Sequence, residues 1–207
     1  MTALTAQIST IACPTEAEGP GRRWALWFQG CSIRCPGCCN PHLFSKDGGK
    51  TISITDLISN LDKAHENDAI EGITLLGGEP TEQLEAATIL AEHAQSIGLT
   101  VLVFTGKKLE ELKENQKANR FLEKIDILVD GPFDNTQPET KRRWIGSSNQ
   151  RIHLLSKRAS YPDPRWELPN TLEITLRQGS LLVNGFPLVN QKIPLAIVKD
   201  SHGNHFT

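Results

Sequence analysis

Four of the five cysteines of this 207-residue chain lie within nine residues, from Cys31 to Cys39. Three of them, Cys31, Cys35 and Cys38, have the spacing C-x3-C-x2-C. Three thiolates on so short a loop can converge on one metal centre. A four-iron cluster that is held by only three thiolates keeps one iron without a protein ligand. The spacing therefore predicts a reactive iron–sulfur site with an open coordination position.

A structural zinc site is the alternative for the same thiols, with Cys39 or His42 as the fourth ligand. A zinc knuckle normally uses two C-x2-C pairs, and the sequence has no second pair. Once three cysteines are assigned to a cluster, Cys13 and Cys39 remain, which are too few for a second all-cysteine cluster. The cysteine pattern thus favours one four-iron cluster, and zinc stays open as the other interpretation.

The composition is that of an ordinary globular domain, with 38% hydrophobic residues. A formal net charge of −2 gives no reason to expect a nucleic acid or an anionic membrane as partner. No apolar run reaches the length of a membrane span, and the N-terminal residues lack the pattern of a signal peptide. Clustered thiols in such a chain indicate a reducing compartment, so we expect a cytoplasmic location.

Short apolar runs alternate with helical patterns along the first two thirds of the chain. Continuously apolar strands of this kind are typical of a parallel sheet covered by helices. The predicted strands are residues 24–28, 72–76, 99–104 and 125–129. Thr55 or Asp56 is the expected cap of the first helix and Thr81 that of the second, and a helical region from 107 to 123 is expected to break near Asn115. Residues 1–23 are predicted to be a polar lead-in, with Arg22 and Arg23 solvated, and a role facing the substrate stays open for these two arginines.

The residues that could do chemistry follow the ends of these predicted strands. The cysteine loop follows the first strand, and Gly77-Gly78-Glu79-Pro80 follows the second. Thr105-Gly106 and Asp130-Gly131-Pro132 follow the third and fourth. Because the carboxyl ends of parallel strands meet at one edge of a sheet, we expect these segments to form one site.

The last third of the chain has a different pattern. Residues 141–158 are basic and polar, with a further predicted strand at 151–155, and residues 161–165 read as a linker. Alternation from 172 to 176, a turn, and a second apolar run to 183 predict a β-hairpin. We therefore expect a core domain of residues 1–158 and a small β-rich C-terminal extension of residues 159–207.

The cysteine motif after a first strand and GGEP after a second resemble the radical S-adenosylmethionine (SAM) superfamily. Further collinear segments resemble one branch, the activases of anaerobic ribonucleoside-triphosphate reductase. Those segments are Gly19-Pro20-Gly21, Cys35-Pro36-Gly37-Cys38, Phe104-Thr105-Gly106, Asp126 to Phe133, and Trp144 to Gln150. The sequence departs from the branch at Cys39, where an aromatic residue is usual, and after Arg158, where the compact form of the family has no counterpart.

The resemblance implies an α/β fold, a partial (β/α)6-type radical SAM barrel with the β-rich extension after it. It implies one 4Fe-4S cluster on Cys31, Cys35 and Cys38, with SAM bound at the open iron. Gly77 and Gly78 would let the backbone approach the methionyl group, and Glu79 would accept a hydrogen bond from the SAM ammonium. The remaining positions implied to contact the cofactor are Gly37, Cys38 and Cys39 beside the adenine, and then Thr105, Asp130 and Asn149. No catalytic residue beyond the cluster is expected.

The activity implied by the resemblance is reductive cleavage of SAM to methionine and a 5′-deoxyadenosyl radical. That radical would take a hydrogen from a glycine of a partner enzyme, an anaerobic ribonucleotide reductase, and a flavodoxin-type protein would donate the electron. Two alternatives stay open from the residues: a radical SAM enzyme that acts on another protein or a small molecule, and a structural zinc-binding interaction module.

Overall fold

The computed structural model of the chain describes residues 3–160, 162–177 and 180–185. In this part of the chain a seven-stranded mixed sheet has the order β3-β1-β2-β4-β5-β6-β7, and β8 and β9 form a separate antiparallel pair. The strands are β1 (Thr5–Thr15), β2 (Arg23–Phe28), β3 (Lys50–Ser53), β4 (Gly72–Gly77), β5 (Thr100–Phe104), β6 (Ile127–Asp130), β7 (Arg151–Leu154), β8 (Leu172–Arg177) and β9 (Ser180–Gly185). The helices are α1 (Ile54–Asp68), α2 (Leu84–Ser96), α3 (Leu109–Lys113) and α4 (Gln116–Leu122), with 3-10 turns at Pro41–Leu43, Pro80–Gln83 and Pro164–Glu167.

The centre of the sheet is parallel, as the apolar runs predict. Strands β2, β4, β5 and β6 pair in parallel, and β7 closes the far edge antiparallel to β6. Side chains alternate between the two faces because successive residues of a strand point in opposite directions. Trp24, Leu26 and Phe28 pack in the cluster that contains the helices, whereas Ala25 and Trp27 pack in a cluster on the other face. The architecture is therefore a mixed α/β sheet with a cluster of buried hydrophobic side chains on each face.

Residues 5–15 form the longest strand of the sheet, a strand that the interpretation of residues 1–23 as a polar lead-in did not include. Strand β1 pairs antiparallel with β2 on one side and with β3 on the other. Ala6, Ile8 and Ala12 are buried, while the residues between them are mostly half-buried or exposed. Small and polar residues between these positions keep the average hydropathy low, which hides a strand that has one buried face.

Arg23 is buried at the start of β2, so the expectation that it is solvated was wrong. Its guanidinium donates to the side-chain oxygens of Thr74 (3.1 Å) and Thr100 (2.7 Å) and to the backbone oxygens of Pro20, Ile73 and Thr100. Burial lowers the pKa of Arg23 to about 9. Five acceptors around one cation compensate its desolvation, and they connect the first residues of three parallel strands.

Two helix starts differ from the prediction. Ser53, and not Thr55 or Asp56, caps α1 by accepting a hydrogen bond from the Asp56 N–H. Thr81 lies inside the 3-10 turn Pro80–Gln83, which Glu79 caps, and α2 begins only at Leu84. The expected break is confirmed, since Asn115 caps α4 after α3 has ended. None of the helices that the structure describes has both the length and the apolar character needed to cross a lipid bilayer.

The segment predicted to be a linker, residues 161–165, is followed by the buried side chain of Trp166. Trp166 lies in the turn Pro164–Glu167 and packs edge to face on Trp144, with ring centroids 5.0 Å apart. Both rings join Leu102 and Val129 on the sheet face that the helices leave free. Tyr161 lies outside the described residues. Residues well beyond 158 thus contribute to the core of the sheet.

Strands β8 and β9 dock on the turn between β1 and β2. The Glu16 N–H donates to Glu173, the Asn184 amide donates to Thr15, and the Gly185 N–H donates to the Glu18 carboxylate at 2.6 Å. Ile174 and Val183 are paired on the opposite face of the hairpin, and both are exposed. The polar face of the hairpin therefore carries most of its contact with the sheet.

Glu18 is expected to make stability depend on pH. Burial raises its pKa from 4.5 to about 7, against hydrogen bonds from Gly185 and Asn184 that lower it. A carboxyl whose pKa is higher in the folded state stabilises the fold fully below pH 4.5, and this contribution is lost as pH rises through about 7. We expect Glu18→Gln, which stays neutral, to be more stable than the parent by up to about 3 kcal/mol at pH 8 and by less than about 1 kcal/mol at pH 5.

Urea unfolding of both proteins at the two pH values measures this difference. Comparing the two chains at each pH cancels the contributions of all other titrating groups. A stability difference that does not change between pH 5 and pH 8 would contradict the assignment of the raised pKa to Glu18.

Candidate metal centre and cofactor site

The cysteine loop leaves the sheet at the carboxyl end of β2. Its first residues are held by backbone hydrogen bonds, from Gly30 N–H to the Leu43 oxygen (2.9 Å) and from Cys31 N–H to the Phe44 oxygen (3.2 Å). The Cys38 N–H donates to the Cys35 oxygen, which closes a turn between the second and third thiols. Gly37 lies in that turn with φ of 74°, a conformation that glycine adopts without strain. These hydrogen bonds give the loop a defined conformation, with its three thiols at one edge of the sheet.

The three thiols differ in their surroundings although all are half-buried. Burial raises the pKa of Cys31 and of Cys35. A hydrogen bond from the Cys39 thiol lowers the pKa of Cys38 to about 6, although burial opposes this shift. The Asn40 N–H also donates to the Cys38 sulfur at 3.4 Å. Cys39 therefore contacts a predicted ligand directly, although its own side chain is exposed.

The GGEP turn fastens the cysteine loop to β4 by backbone contacts. The Gly78 N–H donates to the Phe28 oxygen and the Glu79 N–H donates to the Gly30 oxygen, both at 2.8 Å. A Cβ atom at Gly78 would lie 2.2 Å from the Gly30 oxygen, and one at Gly77 would lie 2.6 Å from the Trp27 Cα. These glycines are therefore required for the approach of two backbones, whatever else binds beside them.

The Glu79 side chain is buried and ties the GGEP turn to the loop after β5. Oε1 accepts from the Thr81 N–H (3.0 Å), the Thr81 hydroxyl (2.6 Å) and the Thr105 hydroxyl (2.8 Å). Oε2 accepts from the Gly106 N–H at 2.9 Å. A carboxylate has about four lone-pair sites, so Oε1 is filled and Oε2 retains capacity for one more donor. Glu79 and Thr105 are thus brought together, in a contact that the sequence did not predict.

The loops after β5 and β6 complete the surroundings of the cysteines. A Cβ at Gly106 would lie 2.7 Å from Ile33 Cδ1, so the loop after β5 touches the cysteine loop. A cavity of about 380 Å³ opens between the cysteine loop and the loop after β6. Its lining consists of Ile33, Cys35, Pro36, Pro132, Phe133, Asp134, Asn135 and Asn149. The volume falls in the usual range for sites of small molecules and cofactors.

The other predicted cofactor contacts fall into two groups. Asn149 lines the cavity and donates to the Pro132 oxygen, and Gly37 lies against Asn135 of the same cavity. Asp130 is buried, and its oxygens accept from the Leu109 N–H and from Arg151. Burial opposes its ionisation, but the hydrogen bonds from Arg151 and Leu109 hold the pKa of Asp130 below its usual value. The described contacts of Asp130 therefore connect β6, α3 and β7, and none of them supports a contact with a cofactor.

Glu82 and Gln83, which follow GGEP and Thr81, also contact the cysteine loop and the strands beside it, and sequence reasoning missed them. The Glu82 carboxylate accepts from the Ser32 N–H at 2.6 Å. The Gln83 amide donates to the backbone oxygens of Gln7 and Gln29, both at 3.0 Å. Neither residue stands in a pattern that marks it, because each contact spans about 50 residues or more of sequence.

The residues present fit an iron–sulfur cluster with a bound cofactor. The donors are three thiols on one loop, which the GGEP turn holds beside a cavity of cofactor size. Among the described residues, no group of three or more His, Cys, Asp or Glu side chains is arranged around the position of a single ion. Each thiolate of a four-iron cluster binds a different iron and need not converge on one point, whereas the ligands of a structural zinc must. Three thiols on one loop beside this cavity fit the donor set of a four-iron cluster with one open iron.

Comparisons with known proteins agree with this site. Residues 17–153 match a family model described as a 4Fe-4S single cluster domain. The chain is 35% identical over 145 residues to an anaerobic ribonucleoside-triphosphate reductase-activating protein of Salmonella typhimurium, a match that covers 67% of this chain and 92% of the relative. The protein of the same description from Enterobacteria phage T4 is 31% identical over 142 residues, covering 65% of this chain and 85% of the relative.

A likeness to one solved structure is too distant to carry an argument. The crystal structure of QueE from Escherichia coli aligns with 49% of this chain and 52% of its own, at 17% identity and a TM-score of 0.38. The chain belongs to the family of anaerobic ribonucleoside-triphosphate reductase-activating proteins, which are radical SAM enzymes with a 4Fe-4S domain.

Proposed function

We propose that this chain uses one 4Fe-4S cluster and SAM to generate a glycyl radical on an anaerobic ribonucleoside-triphosphate reductase. The observation that carries the proposal is the junction of the cysteine loop with the GGEP turn, where two backbone hydrogen bonds of 2.8 Å hold the loop beside a cavity. The printed description of the relatives names the reductase that they activate. The first line of support is geometric, and the second rests on sequence identity.

Cys31, Cys35 and Cys38 would hold the cluster in this proposal. When bound, the reduced cluster would supply the electron for reductive cleavage of SAM, which is the chemistry needed to generate a radical on a glycine of the reductase. The residues of the chain hold and orient these groups. Cys31 and Cys35 are half-buried, so each thiol is partly shielded from water.

The SAM contacts are assigned to the loops around the cavity. Glu79 would accept from the SAM ammonium at Oε2, the oxygen that has one donor. Gly77 and Gly78 would present backbone at the methionyl group, and Gly37, Cys38 and Cys39 would lie beside the adenine. Thr105 would act through Glu79, and Asn149 would act from the cavity wall. Asp130 remains in the proposed set only by the resemblance.

The wider setting is part of the same proposal. The parallel centre of the sheet would be a partial (β/α)6 barrel, with residues 1–158 as the radical SAM core and residues 159–207 as an extension. A flavodoxin-type protein would donate the electron, and the reducing cytoplasm would protect the cluster. Neither a nucleic acid nor a membrane surface takes part.

Anaerobic reconstitution followed by electron spin resonance tests the proposal. We expect about four irons per chain and cleavage of SAM only when the cluster is reduced. Addition of the reductase with SAM and reductant is expected to produce a glycyl-radical doublet, and a reductase whose radical glycine is replaced by alanine is the matched control. Formation of 5′-deoxyadenosine without a doublet would point to a different substrate, and colourless protein with bound zinc would contradict the enzyme altogether.

A further inference from the structure

Glu82 is a carboxylate that reaches the cysteine loop from outside it. It lies in the 3-10 turn Pro80–Gln83 and accepts from the N–H of Ser32, the residue directly after Cys31, at 2.6 Å. Its side chain is only 13% exposed. Burial is the largest cause of the raised pKa of the Cys31 thiol, and the charges of Glu79 and Glu82 add to it. The carboxylate is therefore close enough to the first cluster ligand to act on it electrostatically.

Lys46 is the counter-charge of Glu82. Its ammonium lies 3.8 Å from Oε2 of Glu82 and its side chain is 74% exposed. The stem of Lys46 packs against Gly30, where an added Cβ would lie 2.9 Å from Lys46 Cγ. An exposed ion pair at this distance is weak, so Lys46 offsets only part of the negative charge at Glu82. The charge of Lys107 also favours the ionised form of Glu82.

We infer that Glu82 is a positioning residue for the iron–sulfur centre, which holds the Cys31 turn and lowers the reduction potential of the cluster, with Lys46 opposing this effect. The inference rests on the proposed function, because it requires the cluster on Cys31, Cys35 and Cys38. Reduction adds one negative charge to the cluster. A nearby carboxylate in a poorly solvated position makes that addition less favourable and a cation makes it more favourable.

The effect suits the chemistry of the site. A cluster that must pass an electron to a sulfonium needs a strongly reducing state, and net charge around the cluster is one of the factors that set its potential. The hydrogen bond from the Ser32 N–H links the Glu82 carboxylate to the loop that carries Cys31. The same side chain therefore positions the loop and contributes to the electrostatic potential at the cluster. Glu79 is buried more deeply than Glu82, but it is surrounded by four hydrogen-bond donors and contacts the loop after β5.

Two substitutions separate the charge from the packing. Glu82→Gln keeps an amide oxygen that accepts from the Ser32 N–H and removes the negative charge. Lys46→Met keeps an apolar stem against Gly30 and removes the positive charge. Glu66→Gln is the control for a change of charge alone. Glu66 is exposed near the end of α1, which leads to the start of β4, at the edge of the sheet opposite the cysteine loop.

Potentiometric titration of the reconstituted full chain, followed by the spin resonance signal of the reduced cluster, is the test. Iron content and visible absorption first establish that each variant holds the cluster. We expect the midpoint potential to shift upward in Glu82→Gln, downward in Lys46→Met, and not measurably in Glu66→Gln. A looser loop alone does not produce shifts of opposite sign, so the sign distinguishes the electrostatic effect from a structural one.

The inference is overturned if Glu82→Gln leaves the potential unchanged or shifts it downward, or if both variants shift it in the same direction. Should Glu82→Gln fail to assemble the cluster, Lys46→Met decides alone: a downward shift supports the inference and an unchanged potential overturns it. A parent chain that assembles no cluster contradicts the proposed function itself. An intact cluster without the signed shifts contradicts only the role of Glu82.

Discussion

Replacing Cys35 with alanine is expected to abolish SAM cleavage, leaving 5′-deoxyadenosine at the level of a reaction without enzyme. Cys35 is the middle thiol of the loop and lines the cavity beside it. Cys39 has an exposed side chain and its thiol is hydrogen-bonded to Cys38, so we do not expect it to replace Cys35 as a ligand. Two thiolates do not hold a four-iron cluster with the usual ligand set.

Iron content and product formation after anaerobic reconstitution measure this effect. Cys13→Ala is the matched control, because Cys13 lies on β1 and its sulfur is 3.8 Å from Asp68, away from the loop. The control is expected to keep the iron content and the activity of the parent. Retained cleavage in Cys35→Ala would mean that the cluster ligands are assigned wrongly.

Gly78→Ala is expected to displace the cysteine loop and to lower both stability and cluster content. The new Cβ would lie 2.2 Å from the Gly30 oxygen and 2.8 Å from the Gly30 carbonyl carbon, and all three nearest atoms belong to that residue's backbone. A backbone atom cannot move aside as the tip of a side chain can, so the Glu79 N–H to Gly30 hydrogen bond must lengthen. Overpacking of this kind costs on the order of 3 kcal/mol.

Gly98→Ala is the matched control for this substitution. Gly98 has φ of 89° and nothing within 4 Å of its added Cβ, so only backbone strain of about 1 kcal/mol is expected there. Urea unfolding and iron content separate the two outcomes. Normal iron content in Gly78→Ala, with a stability equal to that of Gly98→Ala, would contradict the role of this contact in holding the loop.

Local pattern was sufficient for the parallel part of the fold. The buried runs that became β2, β4, β5 and β6 are continuously apolar, since each is covered on both faces, and this composition is visible without knowledge of the pairing. The break at Asn115 was also predictable from local sequence, because the side chain of an N-cap residue accepts hydrogen bonds from backbone groups two and three residues away. Both features depend on residues that are close together in the sequence.

Strand β1 and the burial of Arg23 depended on partners that are distant in the sequence. Strand β1 is stable because β2 and β3 pair with it on its two sides, and the pattern of its own residues does not predict this pairing. Arg23 is buried because acceptors from Thr74 and Thr100 surround it, at separations of 51 and 77 residues. The sequence around Arg23 therefore gives no indication of those acceptors.

The sequence by itself determined the kind of chemistry, because three thiols in C-x3-C-x2-C and a GGEP turn are local features. Only the tertiary structure decided how that chemistry is held. Gly77 and Gly78 meet the backbone of β2 and its loop, Glu79 binds Thr105, and Glu82 reaches Ser32. The physical reason is that ligand type is a property of each side chain, whereas sub-ångström fit and local charge arise only when distant segments pack together.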